Sequence, residues 1–351
     1  NKSKFKMMNP SDNIVDWVVE QVPSMGAGWC PPGMLGIGIG GTAEHCVRLA
    51  KQSLMEPIDM GQLKARGAQN DIEQLRIDIF DAVNAQGIGA QGLGGLSTVL
   101  DVKILDWPCH AAGKPVAMIP NCAATRHAHF TLDGSGPSYL EKPDLDQWPK
   151  VNWQPDSAAK RVNLDTLTQE EVESWQHGDR LLLSGKMLTG RDAAHKRIKD
   201  MLEAGEELPV DFRGRAIYYV GPVDPVMGEV VGPAGPTTAT RMDKFTEMML
   251  DLGLLAMIGK AERGADAVNV ISRFKTAYLM ATGGAAYLVA RAIKEAKVVA
   301  FEELGMEAIY EFTVENMPVT VAVDAAGNNV HTLAPAQWKK RIAEEGLLES
   351  Q

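Results

Sequence analysis

Four cysteines and seven histidines bound the metal and nucleophile chemistry open to this chain. Cys30 stands in Met25-Gly26-Ala27-Gly28-Trp29-Cys30-Pro31-Pro32-Gly33. There Gly26 and Gly28 permit backbone angles other residues avoid, while the two prolines fix φ, remove two N–H donors and forbid helix. Such a loop presents a thiol; the alternative is a small buried hydrophobe in a turn, the common fate of a free Cys. Cys122 closes an apolar stretch in Asn121-Cys122-Ala123-Ala124-Thr125-Arg126-His127-Ala128-His129. Single thiols far apart in sequence suit a metal group enclosed by several loops, although iron–sulfur clusters normally take four protein ligands. Zinc competes, because His110, His127 and His129 are near in sequence, but no C-x-x-C or H-x-x-x-H spacing is present. His127 and His129 alternate, so an extended segment turns at most one of them toward a site. Cys46 falls at a core position of a helix.

Three cations form a second group. Arg191, Arg241 and Lys260 each lie at or just past a Gly-containing loop, two of them near a helix start. In an acidic chain this looks like a receptor for a small anion, most naturally a dicarboxylate, since Arg meets carboxylate in a bidentate fork. Each alone is more often a surface charge, and it is the three in matching contexts that favour a site. Gly36, Gly38 and Gly41 satisfy G-x-G-x-x-G literally, which opens an NAD-binding reading. Cys-Pro-Pro-Gly stands where the preceding strand should be, however, so a helix N-terminus near Thr42 is the better use of these glycines. The run Gly87-Ile88-Gly89-Ala90-Gln91-Gly92-Leu93-Gly94-Gly95 implies close backbone approach to something, or else a flexible connector.

These residues need elements to position them. The 351 residues, 45% hydrophobic and 23% charged, suffice for about two globular domains. A net charge of −10 argues against polyanion binding, hence no nucleic acid. No stretch reads as a membrane span, and Asn1 to Lys6 is neither a signal nor a transit peptide in composition. The cysteines show no staple pattern, so a soluble protein of a reducing, cytoplasmic compartment is expected. Patterning predicts a capped helix from Ile14 to Pro23, helices near Thr42 and over 71–85, and strands over 98–105 and 115–119. Cys122 then lies at a strand end. A Pro- and Gly-rich segment centred on 136–160 reads as a linker, and 161–345 as a second α/β unit. In that unit strands are predicted over 180–183, 216–220, 254–258, 298–301 and 319–323. A loop is predicted over 184–192, with helices over 193–204 and 285–296 and another carrying Phe245 and Met249.

Taken together, Gly-Ala-Gly-Trp-Cys-Pro-Pro-Gly-Met, Gly-Gly-Thr-Ala-Glu, Asn-Cys-Ala-Ala-Thr-Arg-His, Ser-Gly-Lys-Met-Leu-Thr-Gly-Arg-Asp-Ala-Ala-His and Val-Gly-Pro-Ala-Gly-Pro-Thr-Thr-Ala-Thr-Arg-Met-Asp resemble the class I, iron–sulfur-dependent fumarate hydratases and their tartrate dehydratase relatives. The resemblance covers nearly the whole chain. It implies an α/β fold in which residues 1–135 are the remainder of an N-terminal cluster-binding domain and 161–345 a C-terminal swivelling-type substrate domain. It further implies a hydro-lyase of the tricarboxylic acid cycle that reversibly hydrates fumarate to (S)-malate, as a homodimer, with a [4Fe–4S] cluster whose fourth iron is open to substrate. Cys30 and Cys122 match two cluster ligands. The family's third ligand sits in a Cys-Gln-Asp-Thr-Gly segment that is not in this sequence, so an N-terminally truncated fragment is expected, with Cys109 as a less favoured substitute. Arg191, Arg241 and Lys260 match substrate-binding positions. Thr237 matches a proposed general base, and His110 a histidine near the substrate. Tartrate or mesaconate are alternative substrates, and a non-catalytic subunit is a further reading.

Overall fold

The computed structural model describes residues 2–125, 128–136, 157–226 and 228–348. Four strands, β1 (Lys4–Met8), β2 (Gly33–Gly40), β3 (Val99–Trp107) and β4 (Lys114–Cys122), form a sheet in the order β1-β4-β2-β3. Before β2, α1 (Ile14–Ser24) is capped by Asn13, whose side chain accepts from the Val15 and Asp16 amides. Between β2 and its parallel neighbour β3 run α2 (Ala43–Ser53), α3 (Met60–Arg66) and α4 (Asp71–Asn84). Gly36 and Gly38 lie inside β2, not in a phosphate-binding turn. A Cβ at Gly38 would stand 2.0 Å from the Cys46 carbonyl oxygen, and one at Gly36 2.2 Å from that of Ala50. These glycines therefore let α2 lie directly on the strand, which removes the physical basis of the NAD reading.

A second sheet has the order β10-β11-β9-β8-β7-β6-β5. Its strands are β5 (Lys160–Asn163), β6 (Arg180–Thr189), β7 (Ala216–Tyr218), β8 (Ala256–Gly259), β9 (Ala277–Met280), β10 (Ile293–Ala300) and β11 (Ile309–Val323). β5 to β9 are successively parallel. The long β11 pairs antiparallel with β9 and also with β6, closing β6-β7-β8-β9-β11 into a ring. The helices are α5 (Gln169–Glu173), α6 (Asp192–Ala204), α7 (Thr246–Asp251), α8 (Ala265–Arg273), α9 (Ala286–Ala292) and α10 (Val330–Glu345). Buried Leu181, Leu183, Ile217, Tyr218, Met257 and Ile258 fill both faces of the parallel strands, as continuous apolar runs require.

Two local expectations are corrected here. Residues 184–189 continue β6 rather than forming a loop, because β11 supplies a partner along that edge. The helix predicted to reach residue 296 ends at Ala292, and the chain turns into β10 to pair with β11. In both, a tertiary hydrogen-bonding partner overrides local preference. Most of the linker over 136–160 lies outside the described residues, and its last residue, Lys160, begins β5. The glycine run does make a close approach. A Cβ at Gly94 would stand 2.3 Å from the Trp338 ring and one at Gly87 2.5 Å from the Lys339 nitrogen, so this segment is packed under α10.

Candidate active site

Loops leaving the carboxyl ends of β6, β8 and β9 carry Arg191, Lys260 and the Gly283-Gly284 pair, where parallel α/β sheets gather ligand-binding groups. Cys30 meets two of these loops. The Lys260 ammonium donates to the Cys30 Sγ over 3.2 Å, and a Cβ on Gly283 would stand 2.4 Å from the same sulfur. Cys122, at the end of β4, is paired across the sheet with Gly33, three residues past Cys30. Its Sγ accepts from the Ala124 amide, and a Cβ on Gly284 would lie 3.3 Å from it. The two thiols are close enough to interact, above a floor that only glycine leaves open. Cys30 is itself strained: it holds φ +62 while 4% exposed. Burial pushes its thiol pKa up, Lys260 pulls it back, and the Cys122 thiol raises it again.

Thr237 sits between the ends of β7 and β8. Its amide donates to the Tyr219 carbonyl at 2.7 Å, and the Lys260 amide donates to its carbonyl at 3.0 Å. Thr238 and Lys260 form a parallel bridge, and the Thr238 side chain lies against Gly28 of the cysteine loop. Arg241 follows in the 3₁₀ turn Ala239–Phe245 and pairs with Asp192. Asp192 adjoins Arg191, the N-cap residue of α6. The Arg191 guanidinium itself pairs with Glu307 at 3.5 Å, so the two arginines stand on neighbouring segments with separate carboxylate partners. The Arg191 Nε is buried with no hydrogen-bond partner in the protein, an orphaned donor of a kind that calls for explanation.

His195 steadies this corner from below. Its Nδ1 lies 2.7 Å from the Arg191 carbonyl, and its ring packs against Tyr219 and Phe245. Burial lowers its pKa from 6.5 to about 4. As pH falls the unfolded chain takes up this proton first. The contribution is therefore full above pH 6.5 and lost between 6.5 and 4, amounting to roughly 3 kcal/mol. Urea midpoints measured from pH 7 to 4 should fall more steeply for the parent chain than for His195→Asn, whose side-chain N–H can replace the Nδ1 donor. Equal slopes would show that His195 does not stay neutral.

The structure thus brings together Cys30, Cys122, Thr237 and Lys260, with Arg241 following on the Thr238 segment and its partner Asp192 next to Arg191 in the chain. It does not bring His110 to this group. His110 is exposed in the connection between β3 and β4, at the end of the sheet where Gly40 pairs with Trp107, whereas Cys122 pairs with Gly33 at the other end. The length of β2 separates the two, roughly 23 Å. Cys109 is exposed in the same connection. Cys46 is buried, its thiol donating to the Gly38 carbonyl at 3.1 Å. His129 lies 3.0 Å from the Met55 carbonyl, and His127 is outside the described residues.

Sequence reasoning missed the glycine floor and two polar ties across the units, Gln91 and Glu262. Glu262 accepts from the Ala27 amide at 2.8 Å and presses against Gly26, where a Cβ would meet its oxygen at 2.0 Å. The available signals were a lone amide side chain within a glycine run and a carboxylate two residues past Lys260. Among the described residues no group of three or more His, Cys, Asp or Glu converges to hold a metal. The paired thiols over Gly283-Gly284 therefore fit two positions of a thiolate-held cluster and supply no third. No helix among these residues is long and apolar enough to cross a membrane.

Comparison with known proteins shows the family. A family model described as Fumarate hydratase (Fumerase) matches residues 1–131, and one described as Fumarase C-terminus matches 134–334. The class I anaerobic fumarate hydratase of Escherichia coli K12 is 31% identical over 331 residues, 90% of this chain and 60% of that protein. Fumarate hydratase 2 of Leishmania major is 30% identical over 344 residues, 93% of this chain and 59% of that one. A putative L(+)-tartrate dehydratase subunit beta of Methanocaldococcus jannaschii is 36% identical over 171 residues, 47% of this chain and 88% of its own length. The chain spans about 60% of the length of the fumarate hydratases it matches. With one family model covering more than half of its residues and a second covering most of the rest, the chain belongs to the class I fumarate hydratase family.

Proposed function

We propose that this chain forms part of a hydro-lyase that reversibly hydrates fumarate to (S)-malate, with Cys30 and Cys122 as two ligands of a [4Fe–4S] cluster and a third thiolate from outside the described residues. The observation that carries the reading is the meeting of two thiols over Gly283-Gly284 beside the Thr237, Lys260, Arg191 and Arg241 segments. When bound, the cluster supplies an iron with an open position, a Lewis acid for a substrate carboxylate and hydroxyl. Arg191 and Arg241 bind the carboxylates, Arg191 with its unpartnered Nε included. Lys260 offsets the negative charge that develops as the C3 proton leaves. Thr237 is the residue proposed to move that proton. A hydroxyl is a poor base at its ordinary pKa, so the role requires activation by nearby cations, and the backbone bond from the Lys260 amide to the Thr237 carbonyl keeps the two residues on adjoining segments. His110, which the family resemblance sets near the substrate, lies a strand length from this centre within the chain, and the same resemblance implies a homodimer. A cytoplasmic enzyme of the tricarboxylic acid cycle, with domains at 1–135 and 161–345, completes this reading.

The similarity of the second half to a tartrate dehydratase subunit favours L-tartrate as a second substrate reading. One hydroxyl or methyl discriminates these acids by only about 1 to 3 kcal/mol. Turnover of fumarate, L-tartrate and mesaconate measured side by side on the anaerobic enzyme tests both readings. The expected result is preference for fumarate, loss of activity in air and recovery with iron and sulfide. Undiminished turnover in a Cys30→Ala, Cys122→Ala double variant would overturn the assignment.

A further inference from the structure

Gln91 is the polar side chain in the glycine run, and it lies within 9% exposure at the junction of the two sheets. Its Nε2 donates to the carbonyls of Pro31, at 3.1 Å, and Gly283, at 3.3 Å, while its Oε1 accepts from the Gly283 amide at 2.9 Å. Its backbone takes part as well. The Gln91 amide donates to the Pro31 carbonyl, and its own carbonyl accepts from His331 Nε2 at 3.2 Å. All of this is held at φ +57, a region that favours glycine, in a segment where glycine is otherwise abundant. A side chain kept at a strained position, with its donor and acceptor both satisfied by two distant loops, marks a conformation set by those contacts.

We infer that Gln91 is a positioning residue that docks the Cys30 loop onto the Gly283-Gly284 loop and so fixes where the Cys30 thiol stands relative to Lys260 and the glycine floor. The Pro31 carbonyl that Gln91 holds belongs to the residue after Cys30, and the Gly283 it holds is the residue whose missing Cβ admits the Cys30 sulfur. The amide therefore binds both sides of the contact that places the thiol. Its consequence for metal loading rests on the reading of Cys30 as a ligand given above; the docking itself does not.

The chain's own cysteines provide the test. Iodoacetamide alkylation of the chain, without metal and resolved by peptide mapping, should be fast at exposed Cys109 and slow at buried Cys30 and Cys46. Two variants separate side chain from backbone. Gln91→Gly removes the amide and relieves the positive φ, whereas Gln91→Met keeps the volume and removes the hydrogen bonds. In both, the rate at Cys30 should rise about tenfold or more, with Cys46 and Cys109 unchanged. A variant that raises Cys46 too is judged by the other one. An unchanged Cys30 rate in whichever variant preserves Cys46 overturns the inference, and so does a joint rise in both variants, because Gln91 would then hold the fold rather than the loop. After anaerobic reconstitution with iron and sulfide, Gln91→Met enzyme should hold less iron per chain than the parent enzyme. If the parent itself takes up none while the alkylation result holds, the ligand reading fails and the docking role of Gln91 stands.

Discussion

Lys260→Met in the enzyme should lower kcat/KM for fumarate hydration by about 10² to 10³-fold, the loss expected when one preorganised charge facing a developing anion is removed. Lys260 occupies the one point where the thiol, the proposed proton carrier and the carboxyl end of β8 meet. Its ammonium donates to Cys30, its amide to the Thr237 carbonyl, and its carbonyl accepts from the Ala239 amide. Methionine keeps the stem and these backbone bonds and removes only the charge. Two readouts should therefore move together. Steady-state kinetics should show the fall in kcat/KM, and thiol titration of the chain without metal should show the Cys30 pKa shifted further upward, because burial would remain without its opposing cation. A variant with unchanged kinetics would remove Lys260 from the site, and one with an unchanged thiol would show that the Lys260–Cys30 contact does not form.

Asp243→Ala should destabilise the fold by about 3 to 5 kcal/mol, the usual cost of leaving a buried charge without its partner. Arg263 has a fully buried side chain; its Nε donates to Asp243 at 2.6 Å and its guanidinium lies over the rings of Tyr219 and Tyr278. The other Asp243 oxygen accepts from the Gly264 amide at 2.8 Å. Asp243 follows Arg241 by two residues and Arg263 follows Lys260 by three, so this pair bolts together the two segments that bear those cations. Urea denaturation measures the effect. Asp243→Asn keeps a carbonyl for the Gly264 amide and should lose less. A loss under about 1 kcal/mol for Asp243→Ala would mean that Arg263 finds another partner or reaches water.

Much of the site was legible as residue chemistry. Gly-rich and Pro-rich punctuation around Cys30 is visible one residue at a time, and so is the placement of Arg191, Arg241 and Lys260 after glycines at predicted strand or helix ends. Those cues are local, and the structure keeps the local geometry they describe: a capped α1, Cys122 at a strand end, Arg191 at the cap of α6. The failures share a different character. The 184–189 segment reads as a loop because Gly185 interrupts it, yet β11 pairs along it, and no window around Gly185 contains β11. The Gly36 and Gly38 pattern mimics a phosphate turn, since spacing alone does not say whether glycine serves a ligand's approach or a helix's.

The sequence by itself determined the α/β class, the two cysteines, the three cations and the family motifs, because each depends on residue type and short-range spacing. Only the tertiary structure decided which of those residues share a site. It set Cys30 against Lys260 and Gly283, paired Arg241 with Asp192 beside Arg191, left His110 a strand length away and recruited Gln91 and Glu262 as ties. These contacts join residues widely separated along the chain. Their formation depends on how the closed ring of strands and the four-stranded sheet pack, and that free energy is distributed over several cores rather than written at any one position.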